Sequence, residues 1–161
     1  MATFGWGQLS TNGPFTTGWI RLSSDTASPS SNGTLQSLSI ISQSDFGAVK
    51  IAIYNGNTLV DYTNAIDLNG GTATGNVVLG ASVLSSENYY LGFKFSGYNG
   101  LYIDESAVAN YIYATNTYAD DFPSSASWLS GNTKYRLSLF ATYTTGSETE
   151  IIGPFPTHFN L

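Results

Sequence analysis

Apolar residues in this chain recur at every second position, and that period admits few folds. In GAVKIAIY, Val49, Ile51 and Ile53 point one way and Lys50, Ala52 and Tyr54 the other. In NYYLGFKF, Tyr89, Leu91, Phe93 and Phe95 share a face. In KYRLSLFATYTT, Tyr135, Leu137, Leu139, Ala141 and Tyr143 do the same, with Arg136, Ser138 and Thr142 opposite. A period of two, not 3.6, belongs to antiparallel strands with one face on a single core and one in water. Further strands are predicted at ATFGWGQL, GWIRLSS, TLQSLSII, TLVDYT, NVVLG, LYIDE and NYIYAT. The last could be read as helical, but its Tyr-Ile-Tyr alternation argues for strand.

The separators carry turn chemistry: NG at 12–13, 32–33 and 99–100, NGN at 55–57, NGG at 69–71 and SGN at 130–132. The NGN between AIY and TLVDY is the clearest hairpin, because Asn and Gly accept the positive φ of a tight turn. About nine short strands at this spacing predict an all-β fold, an antiparallel two-sheet β-sandwich of jelly-roll type. With 161 residues and no internal repeat, the chain reads as one sandwich domain, 1–145, followed by an extended C-terminal arm, 146–161.

Charge narrows the setting. Only 10% of residues are charged, against about 25% in ordinary globular proteins. The surface must be largely hydroxyl, amide and tyrosine, which favours close packing against protein or sugar. The net charge is −6, and Arg21, Lys50, Lys94, Lys134 and Arg136 are scattered, so nothing forms the basic stripe of a nucleic-acid binder. No apolar run is long enough for a membrane-spanning helix. There are no cysteines, which excludes disulfides and thiolate metal sites. The opening MATFGWGQLSTNG has neither a basic segment nor an apolar run, so the expectation is a protein made and used without Sec export.

The order of segments carries a resemblance. FGWGQL is followed by TLQSLSII, GAVKIAIYNGNTLVDYT, SSENYYLGFKFSG, YADDFPSSA and YRLSLFATYT. This series resembles a β-sandwich module of bacteriophage structural proteins and some bacterial surface proteins, over roughly residues 3–144. The minimal NGN replaces the longer, charged hairpin often seen after IAIY in that module. The resemblance implies a fold and a virion setting, not an activity, because the shared motifs are core strands and loops.

Chemistry is sparse. His158 is the one histidine and sits in the arm, far from any serine–carboxylate arrangement. Asp104 and Glu105 are strand neighbours facing opposite ways, so they cannot share one glycosidic bond. Asp120–Asp121 could offer oxygen ligands to calcium, but no D-x-D-x-D-G loop surrounds them; a solvated turn is the simpler reading. Asn32-Gly33-Thr34 fits a glycosylation sequon and is read as a turn. The aromatics Trp6, Trp19, Trp128, Tyr98, Tyr102, Tyr111, Tyr113 and Tyr118 are core or interface residues, or a sugar-stacking set. In the second case YNGLYIDE supplies Tyr98, Asn99 and Tyr102, with Trp128 beside them.

The end of the chain, GSETEIIGPFPTHFNL, is apolar beyond the needs of a solvated tail: Ile151, Ile152, Phe155, Phe159 and Leu161 fall in its last eleven residues. Pro154 and Pro156 forbid a helix. Extended, the arm spans about 50 Å, more than the ~30–35 Å breadth of a compact domain this size. Burying its five large side chains offers roughly 8–15 kcal/mol before ordering costs. Such an arm is expected to dock in a groove or add a strand to a sheet edge of another subunit.

These readings predict a non-enzymatic virion structural protein without cofactor, metal, nucleic acid or membrane: a capsid decoration (cement) protein at the capsid surface. Its partners would be the major capsid protein, other virion subunits and further copies of itself in a homo-oligomer. The alternatives are a carbohydrate-binding module of a tail fibre or surface lectin, and a strand-donating subunit of an extracellular filament.

Overall fold

The computed structural model describes residues 1–7, 11–15, 19–23, 25–42, 47–97, 99–104, 110–134 and 136–146. Their regular structure is entirely β. In chain order the strands are β1 (Ala2–Gly5), β2 (Thr11–Phe15), β3 (Trp19–Leu22), β4 (Gly33–Ser42) and β5 (Ala48–Asn55). Next come β6 (Thr58–Tyr62), β7 (Ile66–Asp67), β8 (Gly71–Asn76), β9 (Ser82–Val83) and β10 (Tyr90–Phe95). The last five are β11 (Asn99–Asp104), β12 (Asn110–Thr115), β13 (Leu129–Lys134), β14 (Arg136–Leu137) and β15 (Leu139–Thr145).

They form two antiparallel sheets packed face to face, as the alternation predicts. One sheet runs β1-β15-β4-β11-β14, with β2 on β11 and β8 and β9 on β4. The other runs β13-β12-β3-β10-β5-β6, with β7 on β5. The chain passes repeatedly from one sheet to the other, so neighbours within a sheet are mostly distant in sequence.

Between the sheets lies the main core. Ile51 and Ile53 of β5 and Leu91 and Phe93 of β10 meet Leu38 and Ile40 of β4 and Leu139, Ala141 and Tyr143 of β15. All are sealed from solvent, and each large aliphatic side chain contributes roughly 1.5–3 kcal/mol by leaving water.

The seven-stranded sheet is buried on its other face as well, which differs from the one-face-wet expectation. Ile20, Leu22, Ala52 and Tyr54 point outward and are covered by Phe122 and Ala126 of the segment 116–128. This strap takes up backbone bonds at the β5–β6 hairpin: Leu59 N–H donates to Ser124 O (2.9 Å) and Ala126 N–H to Asn57 O (3.0 Å). Its polar sequence, ADDFPSSASW, hides a covering role carried by a few apolar side chains.

Several local expectations shift. The hairpin at NGN stands, with Asn55 paired to Thr58 and Gly56 at φ 56°. The NG pairs at 12–13 and 99–100 and the SGN at 130–132 lie inside β2, β11 and β13 rather than in turns. At Gly131 the reason is a ring: a Cβ there would stand 2.1 Å from Tyr111. The run NVVLG is not a strand beyond Asn76; β8 sits just ahead of it, on GTATGN.

Candidate functional site

The described part of the sandwich ends at Gly146, the first residue of the predicted arm, whose N–H donates to Asn32 O at 3.1 Å. Beside it, β4 starts at Gly33 because no other residue fits: a Cβ there would lie 2.1 Å from Thr144 O. The Asn32 side chain extends the tie sideways, accepting from Ser85 N–H (2.8 Å) and the Ser85 hydroxyl (3.2 Å). The exit point is therefore fastened to the segment that follows β9.

Immediately ahead of Ser85, the segment 78–84 is an exposed apolar ridge. Three of the five exposed large hydrophobic residues among the described residues lie on it, Val78, Leu79 and Leu84, with Leu79 62% exposed. The ridge is held by a buried carboxylate. Asp61 Oδ1 accepts from Tyr62 N–H (2.8 Å) and Leu79 N–H (2.9 Å), and Oδ2 from Ala81 N–H (2.9 Å). Val78 N–H donates to Tyr62 O (2.9 Å), tying the ridge to the edge of β6. These bonds explain how an apolar run became a ridge: the amides of Leu79 and Ala81 are taken by an aspartate side chain, while that of Val78 is taken by the end of β6.

Between the ridge and the β5–β6 hairpin runs an open groove of about 480 Å³, lined by Asn55, Thr58, Val60, Ser82, Leu84, Glu87 and Tyr89. Tyr89 is buried and its hydroxyl accepts from Leu84 N–H (2.9 Å). Across the groove, Asn55 Nδ2 donates to Glu87 Oε2 (3.0 Å). Both walls are thus fixed by hydrogen bonds, so an occupant meets a prepared surface.

The predicted sites fall as follows. Ile151, Ile152, Phe155, Phe159, Leu161, His158, Tyr98 and Glu105 lie outside the described residues. Asn99 and Tyr102 are on β11, paired through their backbone with Phe15 and Asn12 of β2. Trp128 belongs to the other sheet's outer layer, where its indole N–H donates to Gly56 O (3.2 Å) and its ring meets Tyr54 edge-on at 4.9 Å. The fold therefore sets Trp128 and β11 on different sheets. Trp19 and Tyr113 form a separate edge-on pair at 5.0 Å, with the Arg21 guanidinium 5.4 Å from the Tyr111 ring.

Asp120 and Asp121 are exposed. Asp120 Oδ2 accepts from the Thr117 hydroxyl (2.8 Å) and Thr117 N–H (3.1 Å), which hold its carboxyl below the usual range. No group of three or more metal-ligating side chains occurs among the described residues.

Sequence reasoning missed two ionisable groups of consequence, Asp61 under the ridge and Lys94. Lys94 is 1% exposed, under the strap. Its Nζ donates to Asn116 Oδ1 (2.6 Å), Thr117 O (3.3 Å) and Asp120 O, and stands 4.4 Å from the Phe122 ring centroid. Burial first, and then the Lys50 charge, push its pKa from 10.5 to about 8, against the pull of Asp120 and Asp121. All three donors are committed to the strap, so the geometry makes Lys94 an anchor rather than a nucleophile. Its only signal in the sequence was a lysine between Phe93 and Phe95.

Comparison of the chain with family models, curated proteins and solved structures finds no match in any of the three.

Proposed function

We propose that the chain is a non-enzymatic structural subunit of a virion, most concretely a decoration (cement) protein on the capsid of a tailed phage. Its partners are the major capsid protein and further copies of itself, reached through the arm. The observation that carries this reading is the ridge Val78–Leu84, an exposed apolar surface beside the residue at which an apolar, proline-containing chain end departs. Exposed apolar surface of this kind marks association sites. The resemblance of IAIY, NYYLGF and DFPSSA to phage sandwich modules supports the virion setting, and the low charge of the chain suits dense packing on a shell.

Truncation tests it. A chain ending at Thr145 is expected to keep its circular dichroism but to lose self-association in light scattering and binding to shells of the native particle. A truncated protein that assembles like the full chain removes the arm from this role. Electron microscopy of the full-length protein separates shell decoration from filament formation.

A further inference from the structure

We infer that the root of the arm, Ile151–Ile152, seats in the groove of its own domain, between Val60 and Leu84, and leaves Phe155, Phe159 and Leu161 to reach a neighbour. The inference rests on the reading of the arm as a contact element and adds where it is anchored.

Register places the exit beside the groove. Thr145 pairs with Gly33, and Gly33 pairs with Val83 on its other side. Two strand spacings, about 10 Å, therefore separate Thr145 from Val83, and the next row holds Gly146, Asn32 and Leu84. The Asn32–Ser85 bonds confirm that row. From Gly146 to Ile151 is five residues, an extended reach of about 17 Å. The first apolar residues of the arm thus become available at the distance of the groove, after a polar Ser-Glu-Thr-Glu bridge.

The groove suits a branched aliphatic side chain. Leu84, 44% exposed, and the half-buried Val60 supply apolar walls. Thr58 and Ser82 offer hydroxyls at the rim. The depression on the far side of the ridge, about 570 Å³, is lined by Gln36, Ser37 and Asn76 together with Met1, Leu35 and Val77, and exposes more polar surface than the groove does. Adjacent residues of an extended chain face opposite ways, so one isoleucine of the pair enters while the other faces out.

Tethering decides between its own groove and a neighbour's. A segment joined by a few residues is present at millimolar effective concentration, far above the micromolar level of a second copy in solution. Gly153 and Pro154 then turn the rest of the arm away from a seated root.

Because the chain has no cysteine, disulfide trapping is clean. Leu84→Cys is combined in separate proteins with Ile151→Cys and with Ile152→Cys, and Leu84→Cys with Phe159→Cys serves as the comparison. Leu84 is exposed, so these variants are expected to fold. Mild oxidation should close an intrachain disulfide in most molecules of one isoleucine pair, seen as loss of free thiol at monomer mass, and in few molecules of the Phe159 pair. Retention of free thiols in both isoleucine pairs, or a predominance of linked dimers, overturns the inference. In either case the truncation at Thr145 still reports separately on whether the arm drives assembly.

Discussion

The two faces of the seven-stranded sheet are both buried, but by different means. Its inner face meets another sheet, aliphatic and aromatic throughout, with Ile51, Ile53, Leu91 and Phe93 sealed. Its outer face meets one strap, which contributes Phe122 and Ala126 and is fastened by a handful of hydrogen bonds: three from Lys94, one from Tyr54 and two with the hairpin. The inner layer is held by many interchangeable contacts, the outer by a few specific ones. Core packing of the first kind fails with the whole fold, whereas a strap of the second kind can open on its own.

Phe93→Ala tests the first half of that contrast and carries the largest expected effect. It removes a fully buried ring that packs on Phe95 at 4.6 Å. The expected loss is about 4 kcal/mol, lowering Tm by about 10 °C for a chain of this length. Denaturant unfolding should remain a single transition. Phe122→Ala tests the second half: about 2–3 kcal/mol is expected from the lost ring, with an altered order of opening. The amides of Leu59 and Ala126, which bond the hairpin and the strap to each other, should exchange well before those of the β5–β10 ladder. Equal acceleration in both places would erase the distinction between the layers.

Lys94→Met comes next. The methionine fills the space, but Asn116 Oδ1 and the Thr117 and Asp120 carbonyls lose their donor; about 2 kcal/mol is the expected cost. The same residue gives the strap a pH signature. Its folded pKa of about 8 lies below its ordinary 10.5, so the unfolded chain binds the proton more tightly. The stability Lys94 contributes is therefore present above pH 10.5 and lost as pH falls through 8. The stability gap between the native chain and Lys94→Met should widen from pH 8 to 10.5. A constant gap would place the lysine in water.

The inner layer was legible in the sequence because alternation is a direct projection of which side of a sheet a residue occupies. Val49, Ile51 and Ile53, and Tyr89, Leu91, Phe93 and Phe95, fall where the period puts them. The outer layer was not legible, since Ala52, Tyr54 and Lys94 look like a solvent face until the strap is placed over them. Apolarity also misleads where a polar partner intervenes: NVVLG reads as strand, yet Asp61 takes the amides of Leu79 and of Ala81 just beyond it, and the run becomes part of the exposed ridge. Of the candidate site, the apolar arm stands out in the sequence. The groove does not, because Leu84 follows β9 of one sheet and Val60 lies on β6 of the other, and only the packing of the two sheets sets them on one groove.

The smallest change probes the same strap through one atom. Tyr54→Phe keeps the buried ring and its edge-on contact with Trp128 but deletes the hydroxyl that donates to Pro123 O at 3.1 Å. At neutral pH the expected loss is about 1 kcal/mol, the net worth of one such bond. Burial raises the pKa of this hydroxyl well above its ordinary 10.0. A raised folded value means that its contribution is intact below pH 10 and is lost as pH climbs further, because the unfolded tyrosine ionises first. The phenylalanine variant lacks that loss. The gap between the two proteins should therefore shrink above pH 10 and then change sign, opposite in direction to the Lys94 effect and in a higher pH window. Urea titrations of both proteins at pH 7, 9 and 11 read it; a gap unchanged at pH 11 would mean that the strap does not keep water from Tyr54.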